Sequence, residues 1–399
     1  MRTMTTRYPY VIVGAGMAGM AAARGIREVD PAGEILVVGN EPFLPYARPP
    51  LSKGLWRGDK LEALWESDSF NIDGLHYQLG SPVTDVDTDS RVIRTASGFT
   101  VGYDKLLLAV GGRARRLPGS GDDIYYPGTL SEHLRLARRL EQGWLRVIVV
   151  GGGFIGSEMA AALSERGHHV LWIIQEQQPF ARMFPETLRA HLLAAYRDHG
   201  VDVIARTQVQ TIESQSLPTV VTAAGSRIAG DIVVVGAGWI TNAEVADTMD
   251  LLTPGSPGIL VDAYGHTRQA GIFASGDIAR LEGEPSPMMH ENRAVTQGRL
   301  VGRNMAGAHD AYAIRPFFYS DIYSWGYEAV GRLDARCEMV EDWARMGEEG
   351  VIYYLDQKRL VGILNWNVWN GVDAARALLG ADRTWHAEEL RGQISNGGN

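Results

Sequence analysis

The apolar positions fall into short unbroken runs near the N-terminus and in the middle of the chain, and into alternation near the C-terminus. The run Tyr10-Val-Ile-Val leads into a glycine-rich turn and then an alanine-rich stretch with helical spacing, and Ile35-Leu-Val-Val follows. The same succession recurs with Val147-Ile-Val-Val, a second glycine-rich turn, a second alanine-rich stretch and Val170-Leu-Trp-Ile-Ile. Strand, tight turn, helix and strand in that order predict βαβ units with parallel strands. Around Glu328–Asp334 and Val351–Leu364 apolar and polar residues alternate instead, which predicts antiparallel strands with helices about them.

The two turns carry chemistry. The first reads Gly14-x-Gly16-x-x-Gly19 and the second Gly151-x-Gly153-Phe154-Ile155-Gly156. In such a turn the first glycine permits the sharp bend and the second lets backbone approach a pyrophosphate. The third brings helix and strand into close packing. The pyrophosphate then rests on helix N–H groups that lack partners. Each unit also ends on polar side chains placed to accept from ribose: Asn40 and Glu41, the latter 27 residues after Gly14, and Glu176, 25 residues after Gly151. Two units imply two nucleotides, and a flavin dinucleotide with a nicotinamide dinucleotide is the economical pair.

At 399 residues the chain is long enough for two or three domains. A net charge of −9 argues against nucleic acid as a partner. The single cysteine, Cys337, excludes an internal disulfide, a Cys-x-x-Cys redox pair and a cysteine-rich zinc site, so redox chemistry must come from a bound cofactor. The ten histidines are scattered, and no metal site is expected. The N-terminus runs straight into a strand without a signal pattern. No apolar run approaches the ~20 residues of a membrane helix, and the expectation is a soluble, cytoplasmic protein. The polar tail Arg391–Asn399 is expected to fray. One stretch stands out: FLPYARPPLSKGLW, residues 43–56, places Arg48 and Lys53 among three prolines. Proline fixes φ and disfavours helix in the residue before it, so Ala47–Leu51 is expected to be a rigid extended segment that holds these cations in place.

Four segments resemble the two-dinucleotide-domain flavoprotein reductases of the glutathione-reductase type. They are GAGMAG, LLLAVGGRARRLP ending at Pro118, GGGFIGSE, and Ile272-Phe-Ala-Ser-Gly-Asp277. The resemblance narrows through PYARPPLSK and the C-terminal RPFFYSDI and GYEAVG to the apoptosis-inducing-factor branch and the ferredoxin reductases of bacterial oxygenase systems. It implies an α/β fold of two Rossmann-like dinucleotide-binding domains plus a C-terminal α+β domain with an antiparallel sheet. The expected domains are an FAD-binding domain at 1–123 and 247–310, an NAD(H)-binding domain inserted at 124–246, and a C-terminal domain at 311–399.

The same resemblance implies site residues. FAD falls to Gly14, Gly16, Gly19, Asn40, Glu41, Arg48, Lys53, Arg115, Asp277, His290 and Tyr319, the last standing where relatives have a tryptophan. NADH falls to Gly151, Gly153, Phe154, Ile155, Gly156, Glu158, Glu176 and Gly238. Lys53 and Glu158 are expected to pair beside flavin N5, with His290 as a third catalytic group. The physical logic is that a fixed lysine stabilises negative charge developing on reduced flavin, and the glutamate, on the first turn of its helix, holds the lysine. A carboxylate at Glu176, with no arginine nearer in sequence than Arg182, favours NADH over NADPH. The arginines at 113–116 and 135–139 read as solvated surface rather than a docking site. Trp239 has no functional reading. The implied activity is hydride transfer from NADH to FAD and onward transfer to a ferredoxin or another acceptor. Two alternatives stay open: a redox-responsive protein whose NADH–FAD charge-transfer complex controls homodimerisation, and a flavoenzyme for a small molecule or quinone, favoured by a cavity near Trp325 or Trp366.

Overall fold

A computed structural model describes residues 6–65, 72–214, 216–252 and 257–394. The chain divides into two compact units: residues 1–48, 61–113 and 240–316 in one, and 49–60, 114–239 and 317–399 in the other.

In the first unit β1 (Arg7–Val13) leads through α1 (Met17–Val29) to β2 (Ile35–Val38) and then to β3 (Leu75–Gln78), all parallel. On the other side of β1 lies a long parallel strand, Thr100–Leu108. Its start pairs antiparallel with Val92–Thr95, and its end pairs parallel with Ile272–Ala274. Alternate residues feed two cores. Val11, Val13, Leu36 and Leu106 enter one, while Ile12, Ile35, Val37 and Leu107 enter the other with α1 and the helix Glu291–Met305. Both faces are covered, which is why Val11–Val13, Ile35–Val38 and Leu106–Leu108 are apolar without a break. The two helices meet backbone to backbone. A Cβ at Gly298 or Gly302 would collide with the main chain of Ala18 or Ala22, and one at Gly25 with that of Arg299.

The second unit holds a parallel sheet in the order Val201–Ile204, His169–Ile173, Arg146–Val150, Ile232–Val235, Ile124–Tyr125. The helix Phe154–Glu165 follows its central strand. A three-stranded antiparallel sheet comprises Val209–Ser214, Pro218–Thr222 and Arg227–Ala229. The C-terminal portion is a five-stranded antiparallel sheet, in the order Phe317–Ile322, Trp325–Gly331, Arg359–Trp366, Glu349–Asp356, Glu338–Arg345. Gly350–Leu355 are buried on both faces, so the apolar–polar alternation expected there is not seen and alternate residues feed two cores instead. Tyr327, Ala329, Leu364 and Trp366 join a large core shared with the helix Phe154–Glu165, and Val330, Val351, Tyr353 and Ile363 join a second core with Ala375 and Leu379 of the helix Val372–Gly380.

Two expectations need correction. Pro49–Ser52 is a 3-10 turn, followed by a second at Gly54–Trp56, rather than extended chain. Proline is tolerated at the start of a helical turn because its missing N–H would lack a partner there. Trp56 then locks the segment: it is buried, and its indole N–H donates to the Leu51 carbonyl at 2.7 Å. Of the polar tail, Ile394 is buried in the second C-terminal core, and residues 395–399 lie outside the described residues. Trp366 is fully buried and stacked on Tyr327 with 5.7 Å between ring centres, so it is a core residue of the sheet.

Candidate active site

The two glycine turns are built alike. Gly14 (φ +118°) and Gly151 (φ +114°) occupy the left-handed region, and a Cβ on either would strike the backbone of the neighbouring strand's end, at Ala109 and Gly236. Gly19 and Gly156 press against the carbonyls of Gly14 and Gly151. Between them Gly16 and Gly153 face open space, with no atom within 4 Å of where a Cβ would stand. Each is also the N-cap of its helix and supplies no side-chain cap. The helix-start N–H groups, with room at Gly16 and Gly153 for close approach, fit a pyrophosphate in both turns.

In the first unit Glu41 is already engaged. Tyr46 donates to one carboxylate oxygen and Arg48 to the other, each at 2.6 Å. Glu41 therefore fixes the loop that carries Arg48, which sequence spacing did not suggest. Asn40 is exposed beside it. Asp277 sits in the 3-10 turn Gly276–Ile278, where the Gly276 N–H donates to Gln297 Oε1 at 3.1 Å. The buried Ser275 hydroxyl and the Gln297 amide nitrogen have no protein partner. A buried polar group left unpaired costs about 1–3 kcal/mol, so these two fit a site completed by a polar ligand such as the ribityl–pyrophosphate region of FAD. His290 stands at the N-cap position of the helix Glu291–Met305, without a side-chain cap bond. Loss of solvent, with Arg293 adding repulsion, pushes its imidazole down to about 4, so it is neutral near pH 7.

The second unit brings Lys53 and Glu158 together. Lys53 Nζ lies 2.8 Å from Glu158 Oε1, and the carboxylate side chain is 3% exposed. Glu158 is the fifth residue of its helix, past the first turn in which it was expected, so complementing the helix dipole does not account for it. Two hydroxyls complete its shell: Ser52 Oγ donates to Oε2 at 2.6 Å and Ser320 Oγ donates to Oε1. Both serines escaped the sequence reading. Ser320 left one faint signal, a lone serine in the aromatic strand FFYSDI. Its neighbour Tyr319 places its ring 5.4 Å from Lys53 Nζ, a cation–π approach. Phe154 meets Phe318 edge-on at 5.6 Å, while Ile155 packs against the large core.

Glu176 stands at the other nucleotide end, its Oε2 3.2 Å from where a Cβ on Gly152 would be. The fold brings Arg182 back to it, with Nη2 2.9 Å from Oε1 and the arginine side chain 79% exposed. Spacing alone had set that arginine aside. The Arg115 N–H donates to the Gly238 carbonyl at 2.9 Å. Trp239 packs over Gly128, and its buried indole N–H has no partner. The arginines at 135 and 139 are tied into ion pairs with Glu132 and Asp123. Among the described residues no helix is long and apolar enough to cross a membrane, and no cluster of metal-ligating side chains exists.

Residues 8–298 match the family model described as pyridine nucleotide-disulphide oxidoreductase. The chain is 30% identical to the 3-phenylpropionate/cinnamic acid dioxygenase ferredoxin--NAD(+) reductase component of Photorhabdus laumondii, over 93% of this chain and 95% of that protein. It is 28% identical to the mitochondrial apoptosis-inducing factor 1 of Dictyostelium discoideum, over 95% of this chain and 79% of that one. Among solved structures, the covalent putidaredoxin reductase–putidaredoxin complex aligns with a TM-score of 0.85 at 27% identity, covering 95% of this chain and 94% of that one.

Proposed function

Since the chain belongs to the pyridine nucleotide-disulphide oxidoreductase family and is an FAD-containing NAD(P)H oxidoreductase, we propose that it draws on NADH and delivers electrons singly to a ferredoxin. The observation that carries this reading is the pairing of Lys53 with the buried Glu158 carboxylate, in the same unit as the second glycine turn.

Bound FAD supplies the step that this chain, with one cysteine, lacks: it takes up a two-electron equivalent and releases it one electron at a time. Gly14, Gly16 and Gly19 would receive its pyrophosphate, with Arg48, Asp277, Ser275 and Gln297 supplying polar contacts. Gly151, Gly153 and Gly156 would hold the nicotinamide dinucleotide. Lys53 offers a fixed positive charge for the reduced flavin. Glu158 keeps that charge in one place, and low exposure keeps water from screening it. His290, neutral in the free protein, can accept a proton only where negative charge develops beside it.

Glu176 supports NADH. Its carboxylate can accept from ribose hydroxyls and repels a 2′-phosphate, whereas Arg182 works the other way. Arg182 is the more exposed of the two, so water screens its charge more than that of the carboxylate.

The test is NADH oxidation by the holoprotein with and without a [2Fe–2S] ferredoxin, repeated with NADPH. Ferredoxin-dependent turnover with NADH preferred supports the proposal. Turnover with oxygen or a quinone alone, unaffected by ferredoxin, overturns the acceptor assignment.

A further inference from the structure

We propose that Ser320 is a positioning residue for flavin reduction, acting through Glu158 to fix the Lys53 ammonium. The inference rests on the proposed role of that pair and adds a third element to it. Glu158 Oε1 accepts from both Lys53 Nζ and Ser320 Oγ, while Oε2 accepts from Ser52 Oγ. Lys53 and Ser52 come from the proline-rich turns, Glu158 from the helix after the second glycine motif, and Ser320 from the first strand of the C-terminal sheet. Ser320 is fully buried and belongs to the strand Phe317–Ile322, paired with Tyr327. Its hydroxyl can rotate but cannot leave.

A carboxylate held only by a lysine and one serine could turn about its last torsion, since terminal sp³–sp² torsions are soft. Three donors on two oxygens remove that freedom. Bonds from hydroxyl to carboxylate are also charge-assisted and stronger than neutral ones. The adjoining Tyr319 also approaches the lysine, its ring centre 5.4 Å from Nζ in a cation–π contact. One dipeptide of the C-terminal sheet therefore touches both members of the ion pair, which gives that sheet a direct part in the chemistry.

The test is a double-mutant cycle of Ser320→Ala and Lys53→Met, read by the flavin midpoint potential under dye equilibration and by anaerobic reduction with NADH. Ser320→Ala in the wild-type background should slow reduction about tenfold with little change in the NADH concentration for half-saturation. It should also shift the reduction equilibrium about tenfold, or about 30 mV for a two-electron couple. In the Lys53→Met background the same substitution should move neither quantity by more than about twofold, because the group through which it acts is gone. Equal effects in both backgrounds, or none in the first, would overturn the proposal. These outcomes are separable from failure of the functional reading, in which the wild-type flavin itself does not accept electrons from NADH.

Discussion

Breaking the Lys53–Glu158 pair from either side should cost nearly the same rate, and breaking it from both sides should cost no more. Lys53→Met leaves a carboxylate with 3% exposure and only two hydroxyl donors, and Glu158→Gln leaves an ammonium with 15% side-chain exposure and no counter-charge at 2.8 Å. Removing one partner of a buried pair is worth roughly 3–5 kcal/mol. The share that appears in the transition state resembles loss of one preorganised donor, about 2.7–4 kcal/mol, or a 10²–10³-fold fall in the rate of flavin reduction. Because the pair acts as a unit, the double variant should be no slower than the slower single variant. Burial should also make the loss insensitive to ionic strength between about 0.05 and 0.5 M. The assay is anaerobic stopped-flow reduction by NADH of the four holoproteins, with FAD content checked for each. A Lys53→Met rate within threefold of wild type, or a double variant whose loss is the product of the two single losses, would refute the reasoning.

Three further outcomes follow from individual contacts. Glu176→Ala should raise the NADPH-to-NADH preference in kcat/KM by ten- to a hundredfold, roughly 1.4–2.7 kcal/mol, with Arg182→Ala in that background reversing most of the gain; competition kinetics with the two nucleotides checks both. His290, lowered from 6.5 to about 4, is neutral in the folded apoprotein while the unfolded chain binds a proton below its own pKa. Stability should therefore fall with pH between about 6.5 and 4, by roughly 3 kcal/mol in all, and Leu at this position should flatten that slope in urea unfolding at several pH values. Gly302→Ala forces a methyl onto the Ala22 backbone and should destabilise the first unit by about 1–3 kcal/mol or more, seen as a lower melting temperature and weaker FAD retention.

The parts of this fold that repeat a local rule were legible in the chain. Both glycine turns carry their geometry in three residues, because only glycine survives at the φ of Gly14 and Gly151 and at the close packing of Gly19 and Gly156. In the strands of Val351–Leu364 alternate residues face the two cores, since a strand's period admits no other division. The contacts that complete the site are non-local, and there the sequence is nearly silent. Arg182 meets Glu176 only because the chain folds back, and counting along the chain made it look remote. Glu41 turns out to grip Tyr46 and Arg48, a pairing set by the path of a proline-rich loop rather than by any period. Ser320 joins Glu158 from 162 residues away. The turn at Pro49–Ser52 departs from the expected extended segment because proline at the start of a helical turn and proline in an extended segment share the same φ.

The most direct test of the account is to mix the yellow holoprotein with one equivalent of NADH in the absence of oxygen, then add two equivalents of oxidised ferredoxin. The oxidised flavin absorbance should be lost promptly and return in full as ferredoxin is reduced. A flavin that stays oxidised with NADH, or one that enters a long-lived long-wavelength complex indifferent to ferredoxin, would contradict it.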